Sequence, residues 1–178
     1  MKASSHKLSY RDLNFWIDSY DDLFSDFDPR PYSERVISDD FLLELNKLTE
    51  EKEGLVKTVC FQIPAKMRDE KTEALIMNRL VNGFENQYGR FSRALNASRR
   101  NGILMAICGA AALMVAVFIT SLGEHTLWQS ALKILFEPAG WFLIWTGLDK
   151  LYLGGKPIKR KRDFYALLEK SKVKFVSI

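Results

Sequence analysis

Residues Gly102–Leu122, GILMAICGAAALMVAVFITSL, form an uncharged run of 21 residues. A helix rises about 1.5 Å per residue, so ~20 residues cover a hydrocarbon core of roughly 30 Å. The run predicts a membrane protein: an α-helical hairpin of two transmembrane helices with a small cytoplasmic α+β module. It starts a hundred residues into the chain, so it does not read as a cleavable signal peptide. The first residues, MKASSHKLS, lack a hydrophobic core.

A second apolar stretch follows the loop Gly123–Thr126: Leu127–Phe136, then Glu137 and Pro138, then Ala139–Leu148. Counted from Pro138 the uninterrupted part is too short to span a bilayer alone. Either one helix begins near Leu127 and carries Lys133 and Glu137 into the membrane, or Pro138 opens a short tilted or re-entrant segment. The full crossing is favoured, because Trp128 at one end and Trp145 with Tyr152 at the other resemble interfacial belts. The division expected is a module over 1–68, a membrane-proximal helix over 69–101, a hairpin over 102–148 and a basic segment over 149–178.

Charge gives the orientation. Arg90, Arg93, Arg99 and Arg100 precede the first span, and Lys150, Lys156, Lys159, Arg160, Lys161 and Arg162 follow the second. The connection Gly123–Ser130 has no Lys or Arg, so both termini are expected in the cytoplasm. A pI near 9.0 is compatible with nucleic-acid binding. The basic residues cluster beside the apolar segments, however, and a phospholipid surface explains Lys156, Lys159, Arg160, Lys161 and Arg162 before RNA does.

The flanks read as α+β. Lys7–Trp16 and Val36–Ile37 have strand character, and Ser38 can cap a helix to Glu51 with Phe41, Leu42, Leu45 and Leu48 on one face. Leu55–Ile63 alternates and ends at Pro64, while Val173–Ile178 is a terminal β-like run able to return to the module as an added strand. Asp69 to about Arg100 is helical. Met77, Val81, Phe84, Tyr88, Phe91 and Leu95 form a heptad-like seam there. That seam either packs on its own module or is shared between subunits, and Gly83 and Gly89 weaken a long coiled coil.

Enzyme signatures are scarce. The chain has no phosphate-binding Gly-rich loop, Cys/His metal pattern or nucleophile elbow. No catalytic residue, metal or cofactor is expected. His6 and His125 are the only histidines, in a tail and in the outer loop. Asp18, Asp21, Asp22, Asp26 and Asp28 are interleaved with aromatic and apolar residues, and read as a solvated face before a cation site. Cys60 and Cys108, in a strand and in the apolar run, imply no disulfide and fit a reducing compartment.

Glu137 and Lys133 stand out, because an ionisable group at a bilayer centre costs roughly 2.5–3.5 kcal/mol on insertion scales. One helical turn apart, they either snorkel to the outer interface, form a buried pair, or ring an oligomeric opening. Small residues at Gly102, Ala106 and Ala110, and at Gly109, Ala112 and Ala116, permit close helix packing within one hairpin or between subunits.

Several segments in order carry a resemblance: Asp28-Pro29-Arg30-Pro31-Tyr32-Ser33-Glu34-Arg35, the strand near Leu55–Ile63, and the Arg-rich entry to the first span. Glu137 follows, with Gly140-Trp141 and Trp145, and then the basic segment before a terminal Val-rich strand. Together they resemble a family of small bacterial two-span membrane proteins of uncharacterised function. The match covers most of residues 24–178. Where that family continues with aromatics, this chain has Leu151-Tyr152-Leu153-Gly154-Gly155. Length and span layout are also similar to those of the membrane accessory proteins of type VI-B CRISPR systems. That similarity implies a homo-oligomeric pore in the bacterial inner membrane that depolarises the cell in antiviral defence beside a CRISPR nuclease partner. Such proteins carry a divergent nuclease-like motif, for which this sequence offers no histidine. The resemblance therefore implies membrane action and not RNA cleavage. The alternative is a membrane-tethered adaptor that recruits a cytoplasmic partner.

Overall fold

The computed structural model describes residues 12–52, 56–123 and 126–178. His6, His125, the start of the strand expected from Lys7 and Leu55 at the start of the next lie outside the described residues. The element order is β1 (Asp12–Trp16), α1 (Asp39–Glu51), β2 (Thr58–Ile63), α2 (Glu70–Ser121), α3 (Leu127–Tyr152), α4 (Lys156–Lys170) and β3 (Lys172–Ser177). Short 3-10 turns cover Tyr20–Leu23 and Ala65–Met67. Val36–Ile37 contributes a single antiparallel bridge, Phe24 to Ile37, and no strand.

Two compact units divide the chain: Met1–Gly89 with Arg162–Ile178, and Arg90–Lys161. The first is built on a parallel sheet of order β1-β2-β3. Leu13, Val59 and Val173 share one row across it, and Phe15, Phe61 and Phe175 the next. The period-2 alternation puts these side chains on one face. Phe61 is fully enclosed, with ring centroids of Phe15, Phe41 and Phe175 at 5.9, 5.7 and 5.3 Å. Ile76, Leu80 and Phe84 of α2 and Leu168 of α4 are also buried. The opposite face of the sheet exposes Asn14, Trp16, Lys172 and Lys174.

Local signals set the helix starts. The Ser38 hydroxyl accepts the Phe41 N–H, with Asp39 and Asp40 favourable at the positive end of the α1 dipole. The Asp69 carboxylate accepts the Thr72 N–H at 3.1 Å and begins α2. The extent of α2 differs from the expected division. Its first twenty residues belong to the first unit, because Ile76, Leu80 and Phe84 supply part of that unit's core.

One buried polar network closes the first unit. Glu73, 5% exposed, receives two 2.8 Å hydrogen bonds from Arg68 and one of 3.1 Å from the Tyr20 hydroxyl. The Tyr20 oxygen accepts the Asp69 N–H at 2.9 Å, and Arg68 donates to Ser177 at the end of β3. The Arg68 guanidinium holds the Glu73 carboxyl below its ordinary value.

The acidic stretch serves the same unit. Asp21 takes Arg35 and the Tyr32 hydroxyl, Asp22 caps the turn after Asp18, and Asp28 takes Arg30 and the Val36 N–H. Among the described residues no cluster of His, Cys, Asp and Glu could hold a metal ion.

Arg68→Ala strands the Glu73 carboxylate and should cost about 2–3 kcal/mol, against about 1 kcal/mol for Tyr20→Phe. Folding lowers the Glu73 pKa, so its contribution is complete above the unfolded value of about 4.3 and is lost as pH falls through the folded value. Denaturant unfolding of the full chain should therefore show Arg68→Ala losing less stability than wild type on acidification below that pH. An equal acid loss would remove the network from this role.

Candidate functional site

The second unit holds the apolar run. Among the described helices, α2 is the one long and apolar enough to cross a membrane, and only 17% of its most apolar window is buried. A core helix of a soluble domain would be mostly enclosed. Ile107, Met114, Val117 and Phe118 are instead 60, 73, 69 and 63% exposed.

α3 is a single helix of 26 residues with Pro138 inside it, and the break considered at Pro138 is absent. Thr126 accepts the Gln129 N–H while Gln129 accepts the Thr126 N–H, a reciprocal cap that starts the helix well before Pro138.

Glycines fix how α2 meets α3. A Cβ at Gly109 would lie 2.6 Å from the Gly140 carbonyl oxygen and 2.8 Å from the Ile144 nitrogen. At Gly147 it would lie 2.6 Å from the Gly102 oxygen and 2.8 Å from the Ala106 nitrogen. Position 102 thus faces 147 and 109 faces 140, an antiparallel pair with backbones in direct contact. The face used is Gly102, Ala106, Gly109 and the buried Ala116, which takes members of both small-residue strips. Its 4-3 spacing follows the left-handed packing class.

This register sets the level of the ionisable residues. Continued along α3, it places Glu137 opposite Ala112, the midpoint of Gly102–Leu122, and Lys133 opposite Ala116. Both side chains are exposed, and no ion pair joins them. A buried pair is therefore not what the structure holds, and Glu137 sits far from either end of the run.

The remaining candidates divide. Leu95 is buried, with Gly155 against it, and Lys161 Nζ lies 5.8 Å from the Phe91 ring centroid, so α4 begins alongside α2. Phe84 is buried in the first unit, Val81 is exposed, and Met77, Tyr88 and Phe91 are half-buried. Lys156, Lys159, Arg160 and Lys161 are exposed, while Arg162 donates to its neighbour Asp163. Cys60 and Cys108 are both free.

The glycine contacts were within reach of the sequence. The seven-residue spacing of Gly102 and Gly109 repeats in Gly140 and Gly147 and marks one face on each helix. The Tyr20–Glu73–Arg68–Ser177 network had no such signal, because its members are scattered from residue 20 to residue 177.

No protein-family model matches this chain, and no curated protein or solved structure matches it.

Adding a methyl tests the helix contact. Gly109→Ala and Gly147→Ala should each destabilise the hairpin by about 1–3 kcal/mol through overpacking. Gly89→Ala, whose Cβ meets nothing within 4 Å, should be neutral or stabilising by up to about 1 kcal/mol from helix propensity. Thermal unfolding in detergent separates the two cases, and equal shifts would contradict the close contact.

Proposed function

We propose that this chain is a membrane-embedded, non-enzymatic effector whose α2–α3 hairpins assemble into an oligomer that forms or regulates a pore. The observation carrying this reading is topological. β2 precedes the apolar run, β3 follows it, and the two strands pair side by side in one sheet. If α2 crosses a bilayer, the chain must cross back between residues 122 and 172. α3, less apolar than the run in α2, is the helix available for that return, and its length of about 39 Å suffices.

A returning α3 takes Glu137 to the level of the bilayer centre and Lys133 to about 6 Å from it. Facing lipid there, each charge costs roughly 2.5–3.5 kcal/mol. The glycine face of the hairpin is already occupied by its own partner helix, so the covering for these groups comes from other hairpins or from water between them. The basic residues at the Gly102–Gly147 end orient that end, and with it both termini, toward the cytoplasm. The resemblance to the type VI-B accessory proteins supplies a setting in bacterial antiviral defence, with depolarisation as the outcome and the associated CRISPR nuclease as a partner.

A membrane-tethered adaptor is the second reading. The first unit favours it, because among the described residues Asn14, Trp16, Lys172 and Lys174 on one sheet face are exposed, Trp16 to 68%, whereas parallel sheets are ordinarily covered on both faces.

Mass and flux test the choice. The detergent-solubilised protein should be oligomeric, and liposomes containing it should pass ions. Glu137→Gln and Lys133→Gln should alter conductance or ion preference several-fold, in opposite senses for cations. A monomer without flux leaves the adaptor, and unchanged flux in both variants clears the two residues of any role in a pore.

A further inference from the structure

The basic end of the second unit is strongly asymmetric. Residues 90–161 carry ten Lys and Arg against three Asp and Glu, and nine of the ten lie before residue 101 or after residue 149. The helix contacts sort those nine by depth. Arg100 and Arg99 lie about 3 and 4.5 Å beyond Gly102, the start of the apolar run. Gly147 faces Gly102, so Lys150 lies at the level of Arg99, about 4.5 Å out. Gly155 lies against Leu95, about 10 Å out, and Lys161 lies over Phe91, about 16 Å out. Lys156 to Lys161 therefore form a second tier, which Arg90 and Arg93 share.

A headgroup layer is roughly 5–7 Å thick on each side of the hydrocarbon. Arg99, Arg100 and Lys150 fall inside that layer. Exposed aromatics bracket it: Trp145, 65% exposed, sits about 3 Å to the apolar side and Tyr152, 70% exposed, about 7 Å to the other. The lower tier lies a further 5–10 Å away, comparable with the screening length of 8–10 Å at ordinary ionic strength.

We infer that Arg99, Arg100 and Lys150 form a collar that binds the phosphate groups of anionic phospholipids, and that the conspicuous Lys156–Lys161 run does not make these contacts. The inference rests on the membrane reading above. Two guanidinium groups suit a phosphodiester, because each can donate two parallel hydrogen bonds to its oxygens. Asp149 is the one carboxylate at this level.

The full chain in neutral detergent, titrated with phosphatidylglycerol or phosphatidylcholine, tests the collar by lipid retained in native mass spectrometry and by thermal unfolding. Wild type should retain and be stabilised by the anionic lipid alone. Each lost cation should weaken binding about fivefold, so Arg99→Gln, Arg100→Gln and Lys150→Gln together should weaken it about a hundredfold. Replacing Lys156, Lys159, Arg160 and Lys161 together by Gln should change it less than about threefold. The single variants Arg100→Gln and Lys150→Gln carry the test if the triple variant does not fold.

Equal retention of the two lipids would overturn the collar, as would a larger loss from the lower tier. Displacement of the anionic lipid by a short RNA would assign the charge to nucleic acid instead. Release of the protein from membranes by alkaline washing without detergent would defeat the membrane reading itself. Firm insertion with no lipid preference would defeat the collar alone.

Discussion

The pairing of β3 with β2 is the constraint on which the rest depends. It is a parallel pairing, and a parallel pair needs a crossover in place of a tight turn. Here the crossover holds α2, α3, α4 and with them the whole second unit. A chain that leaves the sheet through α2 has to return to it through α4, so its outward and inward helices run antiparallel. The hairpin in residues 90–161 is the form this return takes, and the glycine contacts let its two arms approach. Arg68 secures the closure at the strand end by holding Ser177 and Glu73 together.

Much of this arrangement was legible in residue patterns. The Ser38 cap, the alternation through Val59, Phe61 and Ile63, and the uncharged run from Gly102 each carry a local signal strong enough to place an element. The terminal strand was legible as a strand able to join the module, but its parallel pairing with β2 was not, because no local pattern names a strand's neighbour. Less legible was the assignment of α2. Its heptad positions from Met77 to Leu95 read as one seam, yet the helix serves two interiors in turn. Ile76, Leu80 and Phe84 enter the first unit, and Leu95 meets Gly155 in the second. A continuous helix has no boundary residue that announces such a change of partner. The candidate site had the same difficulty. Glu137 and Lys133 were visible as ionisable residues in an apolar segment, but their depth depended on the register with α2, which no local pattern carries.

The two units obtain close packing by opposite means. In the first, large rings fill the interior: Phe61 touches three other phenylalanines, and the driving term is removal of apolar area from water. In the second, the large apolar residues of α2 such as Ile107, Met114, Val117 and Phe118 stay exposed, so their burial is not what joins the two arms. What remains is van der Waals contact between backbones, which requires the absence of side chains at positions 102, 109, 140 and 147. Leucine at these positions would read as more hydrophobic and would still separate the helices.

Between Ser130 and Thr146 the polar groups of α3 lie within about one turn of one another, and this argues about what surrounds them. Pro138 has no N–H, so the Ile134 carbonyl loses its partner within the helix. That carbonyl, Lys133 and Glu137 lie within about one turn of one another on a helix whose neighbouring residues Leu132, Leu135 and Trp141 are exposed and apolar. In a lone hairpin within lipid, three polar groups spread over about 6 Å of depth would have no partner outside the helix. Snorkelling relieves such groups near a helix end, but Glu137 faces the midpoint of the opposing run and its side chain is short. Water or another polar protein surface at that depth relieves all three together.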